Sequence, residues 1–282
     1  MTNAILIGAQ KGGTTTIFDA YRGSVDVRTD YEYKDYHVFI DAAQKRSHIE
    51  RIFRAGKEKV ILHAGVNYMY SRSALEAISD HLDTPKILIV LRNPVERAIS
   101  AVYYFKQLGL ETRGLNAAIE HDLEMFPYGG FDRDKGYLEQ GLYCRYIEEY
   151  VLPLFPREQV GVFLFEELFQ NGRLVLKELN DFLGVDYVDN LVLKSNQKSH
   201  SRFGVINRIF FSRTRWKMWF GKILPAKLRF LIKNAVLNLN KTSANEFEAL
   251  EPALRRRLRE FYQEDTAALS SLLGKDLNEI WK

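Results

Sequence analysis

The chain has 282 residues, 46% of them hydrophobic and 27% charged, with 7 Pro and 18 Gly. That balance belongs to a folded globular protein and excludes collagen-like, low-complexity and mostly disordered classes. The single cysteine, Cys144, excludes an intrachain disulfide and any multi-cysteine zinc site. No apolar run approaches the roughly 18 residues of a membrane span. Lys11 interrupts the short apolar stretch at residues 4–8, which argues against a signal peptide. The expectation is a soluble, cytoplasmic protein that needs no metal.

Charge is spread unevenly. Residues 194–241 hold 12 Lys or Arg and no acidic residue, whereas the rest, with 28 basic against 36 acidic residues, carries −8. A block this basic calls for an anionic partner: a nucleotide, a sulfated or phosphorylated glycan, a membrane surface or a nucleic acid.

In chain order, Ala4-Ile-Leu-Ile7 reads as a buried strand. It runs into Gly8-Ala-Gln-Lys-Gly-Gly-Thr-Thr-Thr16 and then a helical stretch at 17–21. Strand, glycine-rich turn and helix in that order make the first half of a βαβ unit. Apolar runs at 60–62, 86–91 and 160–165 read as further strands. Helical stretches at 42–53, 73–82, 95–106 and 137–152 lie between them. After Phe165 strand signals cease, and 174–183, 227–237 and 248–273 look helical. The Arg255-Arg-Arg257 run in the last reads as a solvated face. Apolar strands alternating with helices predict an α/β fold, a parallel sheet flanked by helices, with a helical C-terminal third. The chain reads as a single domain, 1–282, with an α/β core over about 1–193 and a basic helical part over about 194–282.

A glycine-rich loop that opens a helix presents backbone N–H groups to an anion. Gly12 and Gly13 would let the backbone approach a phosphate, Thr14, Thr15 and Thr16 add hydroxyls, and Lys11 adds charge. The ordinary P-loop spacing fails here, because Thr14 stands where its lysine belongs. A second element, Leu91-Arg-Asn-Pro-Val-Glu-Arg-Ala-Ile-Ser100, directly follows a strand. Asn93 suits the N-cap and Pro94 the first turn of a helix. Arg92 would then stand at a strand's carboxyl end, with Ser100 two turns along, as a phosphate clamp. The competing reading makes Arg92 and Arg97 surface residues paired with Glu96 or Asp83.

Together the two segments resemble the PAPS-dependent sulfotransferases, PAPS being 3′-phosphoadenosine-5′-phosphosulfate. The order and spacing are most similar to the glycan-modifying branch, which includes heparan sulfate sulfotransferases and bacterial relatives. Phe155-Pro-Arg-Glu-Gln-Val160, Phe165-Glu-Glu-Leu168 and Leu179-Asn-Asp-Phe-Leu-Gly184 extend the resemblance over most of the chain. It implies a P-loop-like fold and sulfuryl transfer from PAPS to a hydroxyl of a carbohydrate or glycolipid. Gln10 to Thr16 (Gln10, Lys11, Gly12, Gly13, Thr14, Thr15, Thr16) would bind the 5′-phosphosulfate, and Arg92 and Ser100 the 3′-phosphate. Lys198, Ser201 and Arg202 resemble a loop that closes over the nucleotide. Lys11 is implied as the stabiliser of charge on the leaving oxygen.

Tyr33-Lys-Asp-Tyr-His-Val-Phe39 resembles the family segment that supplies the catalytic base. Asp35 stands where the family has Glu, and His37 occupies the His position. Asp35 is the favoured base, with His37 orienting the acceptor or standing in. The segment around His63 and Tyr68 would face the acceptor, and it departs from relatives in carrying Ala64 where a Lys is usual. Arg213-Thr-Arg-Trp-Lys-Met-Trp-Phe220 mixes cations with aromatics, which suits an acidic glycan, a membrane surface met through 205–233, or a solvated helix face. No nucleic-acid-binding module accompanies the charge. Two other readings stay open: a kinase-like P-loop transferase, and a non-catalytic nucleotide-binding relative.

Overall fold

The computed structural model describes residues 1–29, 37–40, 42–129, 135–186, 200–201, 241–242 and 248–282. The chain divides into two units. The first comprises Met1–Arg97, Gln140–Ser195 and Phe261–Lys282, and the second Ala98–Glu139 and Asn196–Glu260.

The first unit is built on a five-stranded sheet of β1 (Thr2–Gly8), β2 (Val27–Thr29), β3 (Val60–Ala64), β4 (Lys86–Leu91) and β5 (Val160–Leu164). Its order is β2-β3-β1-β4-β5 and every pair is parallel. The apolar runs are continuous because both faces are covered. Ile5, Ile7, Ile87, Ile89 and Leu91 point to one side. There they meet α3 (Arg72–His81), α6 (Tyr143–Tyr146) and the end of α9 (Pro252–Leu273). Ala4, Leu6, Leu62, Leu88 and Val90 point to the other. That side is covered by α1 (Thr14–Ala20) and α8 (Gly172–Leu183). Within this second core, the buried Tyr21 hydroxyl donates to Asn180 Oδ1 at 2.7 Å and ties the end of α1 to α8.

The remaining helices among the described residues are α2 (Arg46–Ile52), α4 (Pro94–Gln107), α5 (Leu115–Met125), α7 (Phe165–Gln170) and α10 (Leu277–Ile280). The helix expected at 137–152 is broken into a 3₁₀ turn (Glu139–Gly141), α6 and a π turn (Ile147–Val151). Asp265 explains where α6 begins, since its carboxylate accepts the N–H groups of Cys144 and Arg145. The helix expected from 248 starts only at Pro252, because Glu248 is used elsewhere as a cap. The three-residue β2, α5 and a short antiparallel pair, β6 (His200–Ser201) with β7 (Lys241–Thr242), were not expected from the sequence. The helix expected at 227–237 lies outside the described residues. Among the described residues no helix is long and apolar enough to cross a membrane.

In the second unit, Glu248 caps α5 from a distance, accepting the N–H of Leu115 and the side-chain amide of Asn116. Glu111 is buried and collects bonds from Arg113 Nε and Nη2, Lys135 Nζ and the Tyr137 hydroxyl at 2.9–3.3 Å. Burial by itself raises its pKa, but the Arg113 hydrogen bonds and the Lys135 and Arg113 charges win. The carboxyl is held down from its ordinary 4.5 to about 2. A depressed carboxylate contributes stability above its unfolded pKa and loses it as pH falls through the folded one. Glu111→Gln should therefore lower the unfolding free energy at pH 7 by roughly 3 kcal/mol. Urea titrations should show the gap between variant and parent closing as pH falls from about 4.5 towards 2.

Candidate active site

From β1 the chain crosses to the edge strand β2, steps back in to β3, and then passes β1 to build β4 and β5. The strand order therefore reverses between β1 and β4, and open α/β sheets hold ligands beyond the carboxyl ends of strands at such a point. Residues 9–13 leave β1 there, and Arg92 and Asn93 leave β4.

The loop is pressed onto the sheet. Ala9 N–H donates to the Val90 carbonyl at 2.9 Å, and Gly12 N–H turns back to the Ala9 carbonyl at 2.9 Å. A β-carbon on Gly12 would lie 2.3 Å from the Val90 oxygen, and one on Gly13 2.4 Å from the Phe165 ring. Both glycines thus have a packing reason independent of any ligand. Lys11 and Gly13 adopt φ of 65° and 102°. For Lys11 this is a left-handed conformation that a non-glycine residue holds only where its surroundings impose it. Gly13 is the N-cap of α1, so the first-turn amides of Thr14 and Thr15 lead out of the loop. Lys11, Thr15 and Thr16 are half-buried, whereas Thr14 and Gln10 are buried, and Gln10 Nε2 donates to Asn67 Oδ1 at 3.4 Å.

Arg92 arrives from the other side. Leu91 pairs with Leu164, so the next residues of the two strands, Arg92 and Phe165, are neighbours. The Arg92 guanidinium lies 4.8 Å from the Phe165 ring centre and 4.0 Å from Glu96. Phe165 is thus packed against Gly13 and beneath Arg92, joining the two anion-binding candidates. Asn93 does cap α4, its Oδ1 accepting from Val95 N at 3.0 Å and Glu96 N at 3.4 Å. Arg97 is wholly buried rather than on the surface. Its charge pulls down the Tyr70 pKa, as does the Gln10 backbone, yet burial dominates and raises that hydroxyl to about 12. Ser100 lies half-buried in the second turn of α4, in the stretch assigned to the second unit.

His37, His63 and Tyr68 come together. His63 Nε2 and the Tyr68 hydroxyl share a hydrogen bond of 3.1 Å, and Phe39 N–H donates to the same hydroxyl at 3.4 Å. The His37 ring stands edge-on to Tyr68 at 5.6 Å, and Lys45 Nζ donates to the His37 carbonyl at 2.8 Å. His63 and Tyr68 are buried and His37 half-buried. Asp35, Lys198 and Arg202 lie outside the described residues, as does the side chain of Ser201.

The Sulfotransferase domain family model matches residues 1–220. The chain belongs to this sulfotransferase family. It is 23% identical to mouse heparan sulfate glucosamine 3-O-sulfotransferase 3B1 over 281 residues, covering 98% of this chain and 64% of that protein. With the human 3-O-sulfotransferase 6 it shares 25% identity, covering 97% of this chain and 72% of the relative. The chain thus spans about 64% of the length of the first of these relatives. The sulfotransferase from Alicyclobacillus acidocaldarius shares the fold at a TM-score of 0.70 and 22% identity, over 100% of this chain and 99% of that one. Mouse sulfotransferase SULT7A1, solved with PAP, shares it at 0.54 and 15%, over 94% and 84%.

Sequence reasoning singled out the loop after β1 and the turn after β4 but assigned no role to Phe165, Glu166, Tyr143 or Trp281. Phe165 and Glu166 stood in a recognised segment, whereas nothing local marks Trp281, 115 positions beyond its partner Glu166. Gly12→Ala should test the loop's seating: the added methyl meets a main-chain oxygen that cannot rotate away. Unfolding should become easier by about 1–3 kcal/mol in a urea titration.

Proposed function

We propose that the protein is a PAPS-dependent sulfotransferase that transfers a sulfuryl group to a hydroxyl of a carbohydrate or glycolipid. The observation that carries this reading is the meeting, at the sheet's switch point, of the Lys11–Gly13 loop with Arg92 through Phe165. Family membership supports the same reading. The donor set suits an anionic nucleotide, with main-chain amides and Thr hydroxyls on one side and a guanidinium on the other. None of these groups needs a metal to bind phosphate.

PAPS would supply the sulfuryl group and leave as adenosine 3′,5′-bisphosphate. In-line displacement, as in phosphoryl transfer, leaves the protein to position groups and stabilise spreading charge. The residues from Gln10 to Thr16 would hold the 5′-phosphosulfate. Lys11 would stabilise charge on the oxygen between phosphorus and sulfur as the S–O bond breaks. Arg92, joined by Ser100 on the resemblance, would hold the 3′-phosphate, with Lys198, Ser201 and Arg202 closing over the nucleotide. Asp35 would take the acceptor's hydroxyl proton, with His37, tied down through Lys45, orienting the acceptor or standing in. His63 and Tyr68 would shape the acceptor side, and the cations and aromatics of 205–233 would meet an anionic glycan or membrane surface. The chain would act as a single sulfotransferase domain, a reading supported by the family match over residues 1–220.

Arg92→Ala should weaken adenosine 3′,5′-bisphosphate by about 1.5–3 kcal/mol and leave adenosine 5′-phosphate nearly unchanged in calorimetry. Equal weakening of both ligands would remove Arg92 from the 3′-phosphate. With labelled PAPS and a panel of glycan and lipid-linked acceptors, Lys11→Ala should lower kcat far more than donor affinity. Asp35→Asn should abolish turnover while keeping adenosine 3′,5′-bisphosphate affinity. An active Asp35→Asn beside a dead His37→Ala would reverse the two roles.

A further inference from the structure

A binding arginine is only as well placed as the backbone that carries it, and displacement of a charge-assisted contact by about 0.5 Å already degrades a site. The backbone of Arg92 and Asn93 is held by three other parts of the first unit. Asn93 N–H donates to Glu166 Oε1 at 2.9 Å. The other oxygen of the same carboxylate, Oε2, accepts the indole N–H of Trp281 at 3.0 Å. Asn93 Nδ2 closes the ring by donating to the Trp281 carbonyl at 2.7 Å. The Tyr143 hydroxyl donates to the Arg92 carbonyl at 2.9 Å, and the Trp281 ring stands edge-on to Tyr143 at 6.2 Å. Glu166 directly follows Phe165, the ring under the Arg92 guanidinium. One carboxylate therefore fixes both the main chain that carries Arg92 and the aromatic surface on which its side chain rests.

We infer that Trp281 and Glu166 are positioning residues for Arg92, a closed ring of hydrogen bonds that sets the guanidinium for a ligand's 3′-phosphate. This rests on the reading of Arg92 as the 3′-phosphate ligand. A carboxylate that bridges an indole to a main-chain amide contributes direction more than apolar burial, so its loss should be felt in recognition before stability.

The test is calorimetric titration of the full chain with adenosine 3′,5′-bisphosphate and, separately, adenosine 5′-phosphate. Trp281→Phe keeps an aromatic ring against Tyr143 and removes the indole N–H together with part of the bicyclic ring. Glu166→Gln keeps the size but turns an N–H towards the indole donor. Each should cut affinity for the bisphosphate by roughly tenfold and leave the monophosphate within about twofold. In a double-mutant cycle, adding Trp281→Phe to Arg92→Ala should cost little further affinity, because the group being positioned is already gone. A merely structural role would lower the melting temperature and weaken both ligands alike, and additive losses in the cycle would say the same. Either result overturns the inference, as does an unchanged preference in both single variants. Should Arg92→Ala itself leave the preference intact, the 3′-phosphate reading falls, and this inference with it. If Arg92→Ala abolishes the preference while Trp281→Phe and Glu166→Gln retain it, only the positioning role is lost.

Discussion

The main-chain carbonyl of Val90 decides how the loop after β1 lies. It accepts the Ala9 N–H at 2.9 Å, and Gly12 passes so close that any β-carbon would collide with it. A segment seated this tightly cannot stand away from the sheet. Its backbone turns through the positive φ values of Lys11 and Gly13 and delivers Thr14 as the first residue of a helix. The register of β1 against β4 shifts between Leu6 and Gly8, where the chain prepares to leave the sheet. One hydrogen bond and one close contact thus set the path of the loop after β1. At Gly12 no larger residue fits that contact.

A second constraint comes from β4 and β5 ending in register. Leu91 pairs with Leu164, so Arg92 and Phe165 emerge side by side and the cation settles on the aromatic face. Phe165 also meets Gly13, which links the loop after β1 to the turn after β4. Beneath them lies a polar layer of Tyr70, Arg97 and Tyr143. Burial raises both tyrosine pKa values, and the buried Arg97 charge opposes it in each case. In a low-dielectric interior such a charge acts over a longer range than it would in water. The Tyr70 hydroxyl donates to the Gln140 carbonyl at 3.0 Å, and the Tyr143 hydroxyl to the Arg92 carbonyl, so this layer is also tied to the backbone above it.

Glycine in this loop shows how one pair of residues can answer a packing demand that the sequence does not display. The sequence offers Gly12-Gly13 as room for a phosphate, and the structure puts a strand carbonyl and a phenyl ring against the two residues. Helix ends show the same pattern. The stretch at 137–152 has helical composition, yet Asp265 starts α6 at Tyr143 by taking main-chain N–H groups from 120 and 121 positions away. Propensity is local, whereas a remote carboxylate can terminate or begin a helix wherever it reaches.

Local order was legible in the sequence because it depends on near neighbours. Continuous apolar runs at 4–7, 60–62 and 86–91 need cover on both faces, which implies a parallel sheet, and Asn93-Pro94 after a strand implies a capped helix. The spacing of Lys11, Gly12 and Gly13, and of Arg92 and Ser100, carried the family. Tertiary structure alone decided which of these segments meet. The strand order places the loop and Arg92 at one switch point, and the β4–β5 register puts Phe165 between them. It also decided that Arg97 is buried, that His63 and Tyr68 bond to each other, and that Trp281 reaches Glu166. Those contacts join residues up to 115 positions apart. No periodicity or motif encodes such a pairing, because what selects it is the packing of the whole sheet and its helices.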